Sequence, residues 1–139
     1  MKYRHILVPI DFSTYSLSAY QSALDHFADA ESSLILLHVV ELDPEEFSGH
    51  QIGSDLVAQR RKQLQTLGNS HRNRWKEVST LVEAGKPTQL IIETARREKV
   101  DLVMMGSHGS GSLVKALFGS TTYDVARKLE CSVLICKSA

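Results

Sequence analysis

The residues from Gly106 to Thr121, GSHGSGSLVKALFGST, carry four of the chain's eight glycines. Backbone this bare serves either a tight turn or the close approach of a ligand to main-chain N–H groups. The spacing is Gly106, two residues, Gly109, nine residues, then Gly119 followed by Ser120. Two well-known phosphate patterns do not fit it. A P-loop needs Gly-Lys-Ser/Thr after its gap, but Gly111 is followed by Ser112 and Leu113. The dinucleotide fingerprint GxGxxG follows a first strand, whereas GSGSLV comes late in the chain and lacks the third glycine. What remains is a bare loop that runs into a helix starting near Gly119 and Ser120. The unpaired N–H groups and positive dipole end of such a helix favour an anion, most simply a phosphate.

Those residues need elements to position them. HILVPI is an apolar run without alternation, as expected of a strand covered on both faces, and it ends at Asp11. Ser13 or Thr14 then caps a helix that places Leu17, Tyr20, Ala23, Leu24, Phe27 and Ala28 on one side. SLILLHVV is a second buried strand. Residues 41–53 read as an acidic loop with Pro44, and DLVAQRRKQLQTLG as a polar helix ended by Gly68. EVSTLVEA alternates, as an edge or half-exposed strand would, with Val78, Thr80, Val82 and Ala84 on one side. After a turn at Gly85, Pro87 opens a helix that turns Leu90, Ile91, Thr94 and Ala95 inward. DLVMMG is a third buried strand, Thr122, Val125, Ala126 and Leu129 mark a last helix, and SVLIC closes the chain. The order β-α-β-α-β-α-β-α-β implies one α/β domain over residues 1–139, doubly wound and Rossmann-like, with helices on both faces of a parallel sheet. Ligands of such sheets sit beyond the carboxyl ends of the strands, where the strand order reverses. If the first and fourth strands are neighbours, Asp11 and the glycine loop face one crevice.

Composition limits the function classes. With 42% apolar and 23% charged residues the chain has the balance of a soluble globular protein, and its 16 basic residues cancel 16 acidic ones. No global field recruits nucleic acid or an anionic membrane, and RRKQLQTLGNSHRNRWK reads as a solvated helix and loop. No run approaches the roughly 20 apolar residues of a membrane span, and MKYRHILVPID is not a signal peptide, so the chain reads as cytoplasmic. Cys131 and Cys136, five apart, point to opposite faces and read as reduced core thiols. Histidines at 5, 26, 38, 50, 71 and 108 include no pair at metal-ligand spacing.

ILVPIDFS, LLHVV, DLVMMGSHG and FGSTTYDVARKLECSVLIC, in this order over nearly the whole chain, resemble the universal stress protein family. The resemblance implies a sheet of five parallel strands in the order 3-2-1-4-5, which makes the first and fourth strands neighbours. It also implies membership of the branch that binds ATP through Gly-x2-Gly-x9-Gly-Ser/Thr. Carried onto this chain, the nucleotide-binding residues are Pro9, Asp11, Val39, Val40, Gly106, Ser107, His108, Gly109, Gly119, Ser120 and Thr121. Asp11 would accept from the ribose, and Val39 or Val40 would wall the adenine. Gly106 would admit the base and ribose, and Gly109 the phosphates. Gly119, Ser120 and Thr121 would hold phosphate oxygens. ATP is the implied ligand, with ADP and AMP as alternatives and Mg2+ as companion. Ser110 stands where many relatives have Arg or Lys, and Lys115 is the candidate substitute countercharge. The resemblance further implies a homodimer through strand 132–137, and SVLIC would be an apolar sheet edge that calls for pairing. A nucleotide-dependent regulatory module with a protein partner of its own is the implied function. At most slow ATP hydrolysis accompanies it, and a structural dimer with a vestigial site is the blander alternative.

Overall fold

A computed structural model describes residues 2–41, 51–109 and 118–137, with 51–53 described as backbone alone. Strand and helix alternate as β1 (His5–Pro9), α1 (Thr14–His26), β2 (Ser33–Val40), α2 (Gln51–Asn69), a 3-10 turn (Arg72–Arg74), β3 (Glu77–Ala84), α3 (Pro87–Arg97), β4 (Leu102–Gly106), α4 (Ser120–Lys128) and β5 (Ser132–Cys136). The strands form one parallel sheet in the order β3-β2-β1-β4-β5. Pro9 pairs with Leu37, and Ile6 and Leu7 pair with Leu102 and Val103. The carboxyl ends of β1 and β4 therefore lie side by side, which is the reversal point the crevice requires.

Alternating side chains of the central strands feed two cores, which is why those strands read as unbroken apolar runs. Ile6, Val8, Leu36 and Met104 pack with Leu24 of α1, Leu64 of α2 and Trp75. On the other face Leu7, Leu37 and Val103 pack with Ile91 and Ala95 of α3 and Val125 of α4. Both cysteines are half-buried free thiols, Cys136 against the first core and Cys131 against the second. Burial is the main cause that raises the pKa of each thiol above its ordinary value, which keeps them protonated. Asp101 fixes the start of β1, its carboxylate accepting from the main-chain N–H groups of Arg4 and His5, each at 2.9 Å.

Several expectations need correction. Gln51 to Gly53, given to the loop by the sequence reading, are already helical in α2, and residues 42–50 of that expected loop lie outside the described residues. Gly68 does not end that helix. It lies inside it, buried against β3, where a Cβ would come 2.9 Å from Thr80 Cγ2. A glycine used for close approach has the same sequence appearance as one used for a cap. Ala126 is exposed, because α4 is short and presses only Thr122 and Val125 fully inward. The basic run is mostly solvated, yet Trp75 within it is buried. Arg72 and Arg74 donate to the carbonyls of Val78 and Leu24, each at 2.9 Å.

Candidate functional site

The crevice opens where β1 and β4 end. Pro9, Asp11, Val39, Gly106, His108, Gly109, Gly119, Ser120 and Thr121, nine of the eleven residues expected there, line it. Val39 rather than Val40 provides the β2 wall: Val39 packs with the core on the α3 side, and strand alternation turns its neighbour away. The Val40 carbonyl accepts from the Gly85 N–H at 3.0 Å. Ser107 also lies outside the lining. It holds the base of the glycine loop: its carbonyl accepts from Gly119 N–H at 2.8 Å, and its N–H donates to the Cys136 carbonyl at 3.1 Å. Ser110 and Lys115 lie outside the described residues.

The two ends of the crevice differ in chemistry. One wall is apolar, made by Leu37, Val39, Pro87, Ile91 and Met105. Facing it is the start of α4, capped by Gly119 without any side-chain hydrogen bond. The N–H groups of Ser120, Thr121 and Thr122 in this first turn have no intrahelical acceptor, and the dipole adds partial positive charge there. Thr122 keeps the turn in place, its hydroxyl donating to the Gly106 carbonyl at 2.9 Å. An apolar slot that ends in an anion-favouring helix terminus matches a flat base joined to a phosphate chain.

Asp11 borders the crevice at the end of β1. Its Oδ1 accepts from Ser13 N–H at 3.0 Å and from Ser13 Oγ. Its Oδ2 faces Gly109, whose Cβ, if it had one, would lie 2.9 Å away. Gly109 thus leaves a cradle beside a carboxylate, and any side chain would fill it. Gly106 has a different reason to be glycine. A Cβ there would meet the Tyr15 main chain, at 2.6 Å from the carbonyl carbon and 2.7 Å from the oxygen, so α1 rests on bare β4 backbone.

Histidines frame the same end of the sheet. His108 packs at a tilt against Tyr15 with ring centroids 5.2 Å apart, and its Nδ1 lies 3.0 Å from Ser107 Oγ. His38 is buried behind the crevice, with Nδ1 bonded to the Ile10 carbonyl at 2.7 Å. Desolvation pulls its pKa below the usual histidine value, against the opposing pull of that carbonyl. The neutral ring with hydrogen on Nδ1 satisfies this geometry. Phe12 packs on it at 5.0 Å, and the Arg60 guanidinium lies 5.9 Å from the Phe12 ring centroid. Residues of the lining that the sequence reading missed are Ile10, Ser16, Leu37, Pro87, Ile91, Met105 and Thr122. The apolar members looked like ordinary core because their strand and helix periodicity is that of the core.

The family model for the "Universal stress protein family" matches residues 2–137. Universal stress protein MJ0577 of Methanocaldococcus jannaschii is 30% identical over 156 residues, spanning 97% of this chain and 95% of its own length. Its solved structure superposes with a TM-score of 0.85 at 26% identity, covering 100% of this chain and 99% of that one. Universal stress protein A homolog 1 of Coxiella burnetii is 28% identical over 141 residues, covering 96% of each. A universal stress protein solved in complex with cAMP shares the fold, with a TM-score of 0.71 at 20% identity over the whole of both chains. With the matching strand order, glycine spacing and crevice already in place, the chain belongs to the universal stress protein family.

Proposed function

We infer that the protein is an ATP-binding regulatory module, with the nucleotide held in the crevice between β1 and β4. The observation that carries the reading is the cradle at Gly109 beside the Asp11 carboxylate, in a crevice that the open first turn of α4 also lines. Val39 and the apolar wall would take the adenine, Asp11 the ribose, and Gly119, Ser120 and Thr121 the phosphate chain. A protein of the same fold is known with cAMP, but at 20% identity that likeness carries the fold alone. The assignment to this chain rests on its own residues.

Regulation requires that nucleotide binding differ between two states of the surface a partner reads. His108, which lines the crevice, favours slow hydrolysis as a second reading. Turnover separates the two. Incubated with ATP and Mg2+, the regulatory module keeps most of the bound ATP intact over hours. Steady phosphate release that vanishes in His108→Gln would establish the hydrolase instead.

A second copy of the chain is the partner best matched to β5. This edge strand leaves Leu134 40% exposed on an apolar segment, and an unpaired edge of that kind invites another strand. Sedimentation at micromolar concentration is expected to show a dimer that Leu134→Lys weakens; a monomer at every concentration would remove the dimer from the account.

A further inference from the structure

The ladder between β1 and β2 stops where a side chain takes the place of its next rung. In a parallel sheet the N–H and C=O of one residue face the same neighbouring strand, and those of the next residue face the other. Ser33 N–H donates to the Arg4 carbonyl, and the Leu37 carbonyl accepts from Ile10 N–H, each at 2.8 Å, so odd-numbered residues of β2 face β1. Even-numbered residues face β3: the Ser32 carbonyl accepts from Lys76 N–H at 2.9 Å and the Val40 carbonyl from Gly85 N–H at 3.0 Å. Val39, which lines the crevice, therefore turns its N–H and C=O to the side where β1 has ended. The acceptor that would continue the ladder to Val39 N–H is the Ile10 carbonyl. It is occupied by His38, whose Nδ1 lies 2.7 Å away, and among the described residues no main-chain bond joins it to Val39. Since a carbonyl only accepts, Nδ1 carries the hydrogen. The rung after that would bring Phe12 N–H to the Val39 carbonyl, but Phe12 stands at φ 63°, off the extended path of a strand. The Phe12 ring packs on the buried imidazole with centroids 5.0 Å apart and keeps it in place.

We propose that His38 is a positioning residue for the base end of the crevice: by occupying the Ile10 carbonyl it halts the β1–β2 ladder and keeps the Val39 N–H and C=O open to a ligand. The inference rests on the nucleotide reading above and adds what holds that end of the site open. Main-chain groups left without a rung need partners once a ligand displaces water from them. An N–H beside a C=O matches an acceptor beside a donor, which is the N1 and 6-amino edge of adenine. Guanine held in the same orientation sets N1–H and O6 there, donor to donor and acceptor to acceptor, and is rejected. With an apolar side chain at position 38 the Ile10 carbonyl loses its partner, and the donor that continues the ladder is the Val39 N–H. Closing that rung removes half of the pair that reads the base.

The test has two parts, both on the full chain. Amide hydrogen exchange without nucleotide, followed by NMR, compares Val39 with Leu37, which lies inside the β1–β2 ladder. In the wild type the Val39 amide should exchange about a hundredfold faster or more, and in His38→Leu it should slow to the Leu37 rate. A wild-type Val39 amide as protected as that of Leu37 overturns the proposal, whether or not the variant folds. Titration calorimetry then compares ATP with GTP in the wild type, His38→Leu and His38→Asn. The wild type should favour ATP by about tenfold or more. His38→Leu should reduce the preference to about twofold through weaker ATP binding, with GTP affinity unchanged. Asparagine carries an N–H donor near the position of Nδ1, so His38→Asn should restore the preference. A His38 that only supports the fold would move the unfolding midpoint in both variants and leave the ratio of affinities at the wild-type value, which overturns the proposal. Equal wild-type affinity for ATP and GTP overturns the reading of the base edge while the nucleotide reading stands. Failure of the wild type to bind either nucleotide defeats the nucleotide reading itself, and the exchange comparison still decides whether His38 ends the ladder.

Discussion

Gly109→Val should abolish nucleotide binding while the protein remains folded. A Cβ at this position would stand 2.9 Å from Asp11 Oδ2, and valine adds two methyl groups beyond it. The carboxylate cannot easily move aside, because Ser13 and Ser16 hold both its Oδ1 and its main chain. The added carbons therefore occupy the space in which a ribose and phosphate would lie. We expect a loss of about a hundredfold or more in ATP affinity, the equivalent of roughly 2.7 kcal/mol. Among the described glycines only Gly85 has a positive φ, so valine at 109 meets no backbone prohibition, and the cost of its contact with Asp11 Oδ2 is read separately as a shift in the unfolding midpoint. Calorimetry gives the affinity and thermal unfolding the midpoint. Undiminished binding in the variant would mean that the ligand does not lie against Gly109.

The first glycine of the same motif should respond in the opposite way. Gly106→Ala adds a single methyl group, but it would sit 2.6 Å from the Tyr15 carbonyl carbon and 2.8 Å from Tyr15 Cβ. The neighbour is main chain of α1, so relief requires the helix to lift from β4. Gly106 itself is pinned by β5 pairing at Cys136 and by the Thr122 hydroxyl on its carbonyl. Overpacking of this kind is expected to destabilise the fold by on the order of 3 kcal/mol, a drop in midpoint of roughly 10 °C for a domain of this size. Chemical denaturation measures it. A change below about 0.5 kcal/mol, the range of a neutral surface substitution, would contradict the close packing of α1 on β4. Two glycines three residues apart thus have separate causes, one in the packing of the fold and one in the opening of the site.

Neither cause could be separated by reading the sequence, because glycine looks the same in both settings. Much else was legible. HILVPI, SLILLHVV and DLVMMG read as buried parallel strands since each feeds both cores, and the alternation in EVSTLVEA indicated an edge or half-exposed strand, β3 lying at the sheet edge. Once β1 and β4 were expected as neighbours, Asp11 and Gly109 fell together from topology alone. Details set by tertiary seating were not legible. Val39 and Val40 differ only in which face the strand turns outward at its end. Pro87 and Ile91 join the crevice wall because α3 packs over β2, and their periodicity shows only that they point inward. The serine network around Asp11 depends on hydroxyl directions and on the left-handed backbone of Phe12, which a bulky aromatic residue gives no reason to expect.

The central claim, that an adenine nucleotide occupies the crevice beside Gly109, is tested most directly by what the protein carries from the cell. The wild type and Gly109→Val are purified in parallel without added nucleotide and denatured, and the released small molecules are identified by chromatography and mass. We expect near-stoichiometric ATP from the wild type and none from the variant. A wild-type protein that releases no nucleotide, and then fails to take up ATP in the presence of Mg2+, would contradict the account.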